Sequence, residues 1–406
     1  MSFRTPMALM LLAVLSACTV SMKVDIDSSA DAALLGKLQE GMANGSRVEG
    51  VLFFSQEERR VAFRNIDKLM PVRTVHAADK PLALPRSLRD LNDLTYEVNG
   101  EIYTLSSFLA RPEQIGFLVV QNGNILLEHY APGISDEDVW VSFSVTKSVT
   151  SMLIGAAIHD GYIRSVDEPV VDYLPRLRGT GYEHTSIRNV LNMASGVRWN
   201  EDYEDRQSDV ARAGGANGVS LVSYLAKLPT EHEPGVKFNY NTGETNLAGE
   251  ILRAAIGNNA SEYLQSRIWR PFGMESDANW LLGEPGGGET GGCCISATLR
   301  DYARIGMFAL SGGVLPDGTR VLPEDWMADS VTPSAGYEGY GYLWWLLGEG
   351  SYSALGIFGQ QIFIDPESGL VIAAHSNAQR ASGSPYHYHL RAATLAIRDY
   401  LRGDRM

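Results

Sequence analysis

Ser144 and Lys147 stand three residues apart in Phe143-Ser144-Val145-Thr146-Lys147-Ser148, a spacing that can build a nucleophile without histidine. The polar and apolar alternation that follows, running on through Ala156, Ala157 and Ile158, predicts a buried helix from near Ser144 to Gly161. Positions i and i+3 share one helical face, which puts the amine beside the hydroxyl. Burial disfavours the charged form of a lysine and lowers its pKa. A neutral amine can take the serine proton, and a helix N-terminus favours the negative charge that develops on acylation. The chain has seven lysines, at 23, 37, 68, 80, 147, 227 and 237, and only Lys147 follows a serine by three. Taken alone, the spacing is also that of an ordinary surface lysine on a helix, so the chemistry needs partners.

Three segments offer them. Pro234-Gly235-Val236-Lys237-Phe238-Asn239-Tyr240-Asn241 places a tyrosine on a loop, where a phenol beside a serine and a lysine can relay protons. Ala354-Leu355-Gly356-Ile357-Phe358-Gly359-Gln360 leads into a strand; its glycines let a substrate carbonyl approach the backbone, and an N–H there can point at an oxyanion. Met193-Ala194-Ser195-Gly196-Val197-Arg198-Trp199-Asn200-Glu201-Asp202-Tyr203 brings aromatic and acidic residues that can line a pocket.

In this order, with Thr185-x-Ile187-Arg188-Asn189-Val190-Leu191-x-Met193-x-Ser195-Gly196 between the first two, the motifs resemble the serine β-lactamase-like hydrolases, the penicillin-recognising group of class C β-lactamases, D,D-peptidases and related esterases. The resemblance spans roughly residues 95–400. Trp199 to Tyr203 and Gly356 to Gln360 bring it nearest the 6-aminohexanoate-dimer hydrolase and esterase branch. It implies an α/β fold, an antiparallel sheet flanked by helices with an inserted, mainly helical domain. It implies Ser144 as nucleophile, Lys147 as general base and Tyr240 as the residue that protonates the leaving group. The backbone N–H groups of Ser144 and Ile357 would form the oxyanion hole, and Gly356 and Tyr203 would bind the substrate, with Tyr203 lying over it. No metal or cofactor is implied.

The departures narrow the substrate. Class C β-lactamases carry Tyr-x-Asn, whereas Tyr240 is followed by Asn241 and Thr242. Where they carry Lys-Thr-Gly, this chain has Ala354-Leu355-Gly356, without the cation that grips a β-lactam carboxylate. Losing such a charge-assisted contact costs on the order of 1.5–3 kcal/mol. The expectation is therefore a serine hydrolase of neutral carboxylic esters or small linear amides. The alternatives are a weak β-lactamase or D,D-peptidase, or a non-catalytic relative that binds cell-wall fragments. A G-x-S-x-G elbow, H-E-x-x-H and a P-loop are all absent. His387 and His389 have no partner motif and read as core or solvent residues. Trp344 and Trp345 point to opposite sides of a strand, and both read as core.

The positioning elements follow from the remaining pattern. Two apolar runs, 116–120 and 125–130, flank Asn122-Gly123 and predict a hairpin. Tyr96 to Val98, Gly341 to Leu347, Gln361 to Ile364 and Val371 to Ala374 read as further strands, and Tyr388 to Leu401 as a last helix. A short helix is expected around Ala32 to Ala43. The sheet is expected to come from about 96–165 and 326–406, with a helical insert over about 166–325 and a flexible loop at 283–292. Residues 96–406 form the hydrolase domain, and 18–95 a tether and an extension wrapped on it.

Arg4, the apolar run Met7 to Leu15 and the ending Leu15-Ser16-Ala17-Cys18 read as a lipoprotein-type signal peptide over 1–17, with Cys18 lipidated. Thr19 resembles the residue that follows in outer-membrane lipoproteins, so the expectation is an exported, periplasmic enzyme anchored to the membrane by lipid. A net charge of −14 disfavours nucleic acid and anionic surfaces as partners. Cys293 and Cys294 are adjacent and are expected to pack as small apolar residues. Oligomeric state is not written in the pattern.

Overall fold

A computed structural model describes residues 28–44 and 51–403; the leader and Cys18 lie outside the described residues. Strand alternation decides the layering. In β4 (Gln114–Gln121) Leu118 and Val120 join one buried cluster, while Phe117 and Val119 join another. In β12 (Leu370–Ser376) Val371 and Ala373 face the first cluster, and Leu370, Ile372 and Ala374 the second. Side chains two apart share a face, so this sheet is buried on both faces and carries a layer on each.

The sheet has the order β5-β4-β12-β11-β10-β9, antiparallel throughout, with β5 at Asn124–Tyr130, β9 at Trp345–Gly348, β10 at Ser351–Leu355 and β11 at Gln361–Asp365. Two of its strands precede the helical region and four follow it. The β4–β5 turn has φ of 48° at Asn122 and 78° at Gly123, the left-handed pair that a two-residue hairpin requires. Helix α2 (Val145–His159) and helix α4 (Leu299–Leu310) contribute to the first cluster, and helix α5 (Pro385–Gly403) to the second. Helix α3 (Thr242–Ile256) packs on α2; the Asn241 side chain caps it at the Glu244 N–H, and Gly257 in left-handed conformation closes it.

Several expectations are corrected. A four-stranded sheet, β1-β7-β8-β6, places β7 (Ala278–Leu281) and β8 (Ile295–Thr298) inside the stretch read as helical. Both strands are buried almost throughout, so neither shows the polar and apolar alternation of a half-buried strand. Its edge strand β1 (Val72–Val75) comes from the N-terminal extension, and β6 (Val139–Val141) leads towards Ser144. A hairpin of β2 (Thr95–Val98) and β3 (Glu101–Thr104) stands apart. The strand expected from Gly341 begins only at Trp345, because Leu343 turns through a φ of 61°. The last helix starts at Pro385, where the ring's fixed φ suits a first turn. Cys294 is buried in the second cluster and Cys293 packs against it, as expected of small apolar residues; the two adjacent sulfurs are also joined.

The extension is built into the body. Helix α1 (Gln56–Ala62) opens with a capping box between Ser55 and Glu58 and delivers Phe63 to the core. The Phe63 ring meets Phe143 at 5.0 Å, Phe358 at 5.6 Å and Trp140 at 5.6 Å, and its carbonyl accepts the Val141 N–H at 3.1 Å. The buried Arg59 lies over the Phe358 ring at 4.2 Å and donates to the carbonyls of Phe54 and Ala378. Residues on either side of the expected site, Phe143 and Phe358, thus rest on one side chain of the extension. Phe63→Ala is expected to destabilise the fold by about 3–5 kcal/mol in urea unfolding, the usual loss for an emptied aromatic core site; a loss under about 1 kcal/mol would show the extension to be peripheral.

Candidate active site

The turn between β6 and α2 is fixed before any chemistry begins. The Ser142 hydroxyl meets the Thr146 hydroxyl at 2.7 Å, and the Ile295 N–H donates to both at 2.9 Å, tying the turn to β8. Phe143 then adopts a φ of 47°, a left-handed conformation that costs a β-carbon-bearing residue roughly 1–2 kcal/mol. The ring contacts to Phe63 and Phe358 hold it there. Ser144 sits at the N-cap of α2, yet its side chain makes no capping hydrogen bond, which leaves the hydroxyl for another partner.

That partner is Lys147. Its side chain is buried, with Nζ 3.2 Å from Ser144 Oγ and 2.9 Å from the Gly292 carbonyl oxygen. Among the described residues it has no ion-pair partner within 4.0 Å. Burial pushes its pKa down to about 8, and the negative charge of Glu201 pulls the other way. A neutral amine has two hydrogens and one lone pair. With one hydrogen given to Gly292, the lone pair can face the Ser144 proton.

Gly292 is a residue the sequence reading missed, since 283–292 read as flexible by composition. Its end is packed instead. A β-carbon on Gly291 would lie 2.4 Å from the Thr245 carbonyl, and one on Gly292 would lie 3.1 Å from Lys147 Nζ. The Gly292 N–H is held by Asn246 Oδ1 at 2.8 Å. These glycines serve close approach rather than mobility.

Tyr240 completes the group. Lys147 Nζ stands 5.5 Å from its ring centroid, Trp345 stacks on it at 5.4 Å, and Tyr340 meets it edge-on at 5.9 Å. Trp345 is therefore not a core residue, while Trp344 is fully buried against Tyr352. Burial raises the Tyr240 pKa, the Glu201 charge raises it further, and a hydrogen bond with Ser144 opposes both. The phenol stays protonated. The segment ending at Gly196 is the bracket for its loop: Asn239 N–H donates to the Met193 carbonyl at 2.8 Å and Gly235 N–H to the Ala194 carbonyl at 2.6 Å.

Tyr203 joins from the other loop, its hydroxyl donating to Glu201 Oε1 at 2.7 Å, and burial keeps its pKa well above the ordinary phenol value. Glu201 is a second residue whose part was not legible beforehand. Gly356 abuts the nucleophile turn, since a β-carbon there would lie 2.5 Å from the Ser142 carbonyl. The rings of Phe143 and Phe358, one residue before Ser144 and one after Ile357, touch at 5.1 Å. Neither the Ser144 nor the Ile357 N–H donates to a protein acceptor among the described residues. His387 and His389 line no metal group; no cluster of three or more His, Cys, Asp or Glu is placed to hold an ion among the described residues.

The buried amine carries a stability consequence. The unfolded chain keeps the Lys147 proton to about 10.5 and the folded chain only to about 8. Between those values the unfolded state binds more protons, so stability rises with pH. Lys147→Met is expected to be the more stable protein at pH 7 by about 1–3 kcal/mol, with the advantage shrinking from pH 8 to 10.5. Urea unfolding at pH 7 and 10 checks this; equal stabilities at pH 7 would contradict a destabilising buried amine.

Comparison with known proteins agrees with this architecture. Residues 113–396 match the family described as Beta-lactamase. The 6-aminohexanoate-dimer hydrolase of Paenarthrobacter ureafaciens is 32% identical over 342 residues, covering 78% of this chain and 85% of that protein. A Bacillus anthracis structure provisionally named a 6-aminohexanoate-dimer hydrolase superposes with a TM-score of 0.74 at 22% identity, covering 85% of this chain and 94% of that one. A family VIII carboxylesterase shares the fold with a TM-score of 0.52 at 17% identity, over 70% and 93% of the two chains. With this match over most of its length and this order of elements around Ser144, the chain belongs to the Beta-lactamase family and has its fold.

Proposed function

We propose that the protein hydrolyses carboxylic esters or small linear amides through an acyl-enzyme on Ser144. The observation that carries this reading is a buried Lys147 amine, with no ion-pair partner among the described residues, hydrogen-bonded to Ser144 Oγ. Lys147 takes the serine proton as Oγ attacks the substrate carbonyl. The N–H groups of Ser144 and Ile357, which have no protein acceptor among the described residues, receive the oxyanion. Tyr240, kept protonated by burial and lying beside Lys147, passes a proton to the leaving alkoxide or amine. Water then attacks the acyl-enzyme by the reverse proton path and frees Ser144.

The strand beside the site supports neutral substrates. Ala354 is buried in the core and Leu355 is half-buried, so β10 offers no cation to a β-lactam or peptide carboxylate. The similarity to a 6-aminohexanoate-dimer hydrolase supports an amide bond between flexible chains as one substrate type. We also place the enzyme outside the cytoplasm, lipid-anchored through Cys18, on the strength of the leader; labelling with a radioactive fatty acid should be lost in Cys18→Ala, and retained label would refute the anchor.

With p-nitrophenyl butyrate, Ser144→Ala is expected to fall to background and Lys147→Ala to fall at least a thousandfold, while Tyr240→Phe loses about a hundredfold in kcat. Nitrocefin turnover should be at least one to two decades below ester turnover in kcat/KM. Full activity in Ser144→Ala would sink the mechanism, and faster nitrocefin than ester turnover would overturn the substrate reading.

A further inference from the structure

Glu201 accepts four hydrogen bonds, two on each oxygen. The Tyr203 hydroxyl at 2.7 Å and the Thr242 hydroxyl bind Oε1; the Thr242 N–H at 3.0 Å and the Trp199 indole N–H bind Oε2. Only an ionised carboxylate accepts at every site, and the first turn of α3, to which Thr242 belongs, favours a negative charge there. The same loop is packed as well as bonded. The Trp199 ring lies so close to α3 that a β-carbon on Gly243 would stand 2.6 Å from it. Tyr240 is two residues before Thr242 on the same chain segment. Glu201 therefore joins the two loops that carry Tyr203 and Tyr240, and its acceptor capacity is used up in doing so.

Resting on the hydrolase reading above, we propose that Glu201 is a positioning residue: it locks Trp199 and Tyr203 to the start of α3 and thereby sets the Tyr240 loop against Ser144 and Lys147. It does not touch the reacting atoms. Its charge acts on them through space, favouring the protonated forms of both Lys147 and Tyr240. Among the described residues, Lys147 meets the Glu201 charge and the Tyr240 ring from the two loops, the Ser144 hydroxyl and the Gly292 carbonyl, and the uncharged Thr242 and Asn246 of α3 crowd the same Gly292. No cation on β10 offsets this anion, because Ala354-Leu355 stands there. The consequence is a division of labour in which Tyr240 is held as a neutral proton donor and the base is left to Lys147.

The test is the pH profile of kcat/KM for p-nitrophenyl butyrate in the full chain, for wild type, Glu201→Gln, Glu201→Asp and Ser144→Ala. Activity should rise with pH as Lys147 loses its proton. Removing the anion lowers the pH at which that happens, so Glu201→Gln should move the rising limb down by about 0.5 in pH, the size of a screened charge interaction. Its kcat should also fall about ten- to a hundredfold from misplaced tyrosines. Glu201→Asp keeps the charge and should keep the limb. An unmoved limb in Glu201→Gln, or an equal displacement in Glu201→Asp, overturns the proposal. If Glu201→Gln fails to fold, Tyr203→Phe and Thr242→Ala each remove one donor and leave the carboxylate. Both should lower kcat with the limb in place, and wild-type kcat in both rejects the proposal. Ester turnover by Ser144→Ala would indicate failure of the hydrolase reading itself, a separate outcome from an unmoved limb with Ser144→Ala inactive.

Discussion

An amine buried without a counter-ion governs this site. Lys147 lies buried in the interior, with hydrogen bonds to Ser144 Oγ and the Gly292 carbonyl and no carboxylate within ion-pair reach among the described residues. Water would hold such a group charged; the interior favours the neutral amine. The rest of the region is arranged around keeping it dry and aimed. Gly291 lets the loop close on α3 where a β-carbon would stand 2.4 Å from the Thr245 carbonyl, and Gly292 lies directly against the amine. Tyr240 and Trp345 form an aromatic wall beside it. The hydroxyl of Ser144 is withheld from helix capping and left facing the amine.

Around that centre the chain makes an aromatic and backbone frame from distant segments. Phe143 and Phe358, which flank the two amides assigned to the oxyanion, pack on each other and on Phe63 from the extension. Such amides are useful only when fixed before the charge appears, because reorganisation during reaction would cost the stabilisation they give. The extension, far from a loose wrapper, contributes both this contact and an edge strand. The electrostatic frame has the opposite sign from one built on a lysine in β10: the Glu201 anion raises the Tyr240 pKa rather than lowering it. That difference is compatible with neutral acyl substrates and ill suited to anionic ones.

The fold and the family were legible because their signals are long-range in order but local in form. A four-residue motif, a two-residue turn at Asn122-Gly123 and alternating strands each declare themselves within a short window, and their sequence along the chain restricts the topology. Ser144, Lys147, Tyr240 and Tyr203 belong to segments of that kind. What escaped the sequence depends on tertiary approach. Gly292 looks like part of a glycine-rich linker until α3 is seen against it. Glu201 looks like one acid among several until its four donors converge. Trp345 differs from Trp344 only in which face of the chain its side chain takes after the turn at Leu343. Strands β7 and β8 are buried almost throughout and so carry no alternation to be recognised.

The most direct test of a lysine-activated Ser144 is rapid-quench intact-protein mass spectrometry with p-nitrophenyl butyrate, followed by peptide mapping. A transient butyryl adduct on the peptide carrying Ser144, forming faster as pH rises through about 8 and absent from Ser144→Ala, is the result this account predicts. p-Nitrophenol release with no adduct, or with an adduct at another residue, would contradict it.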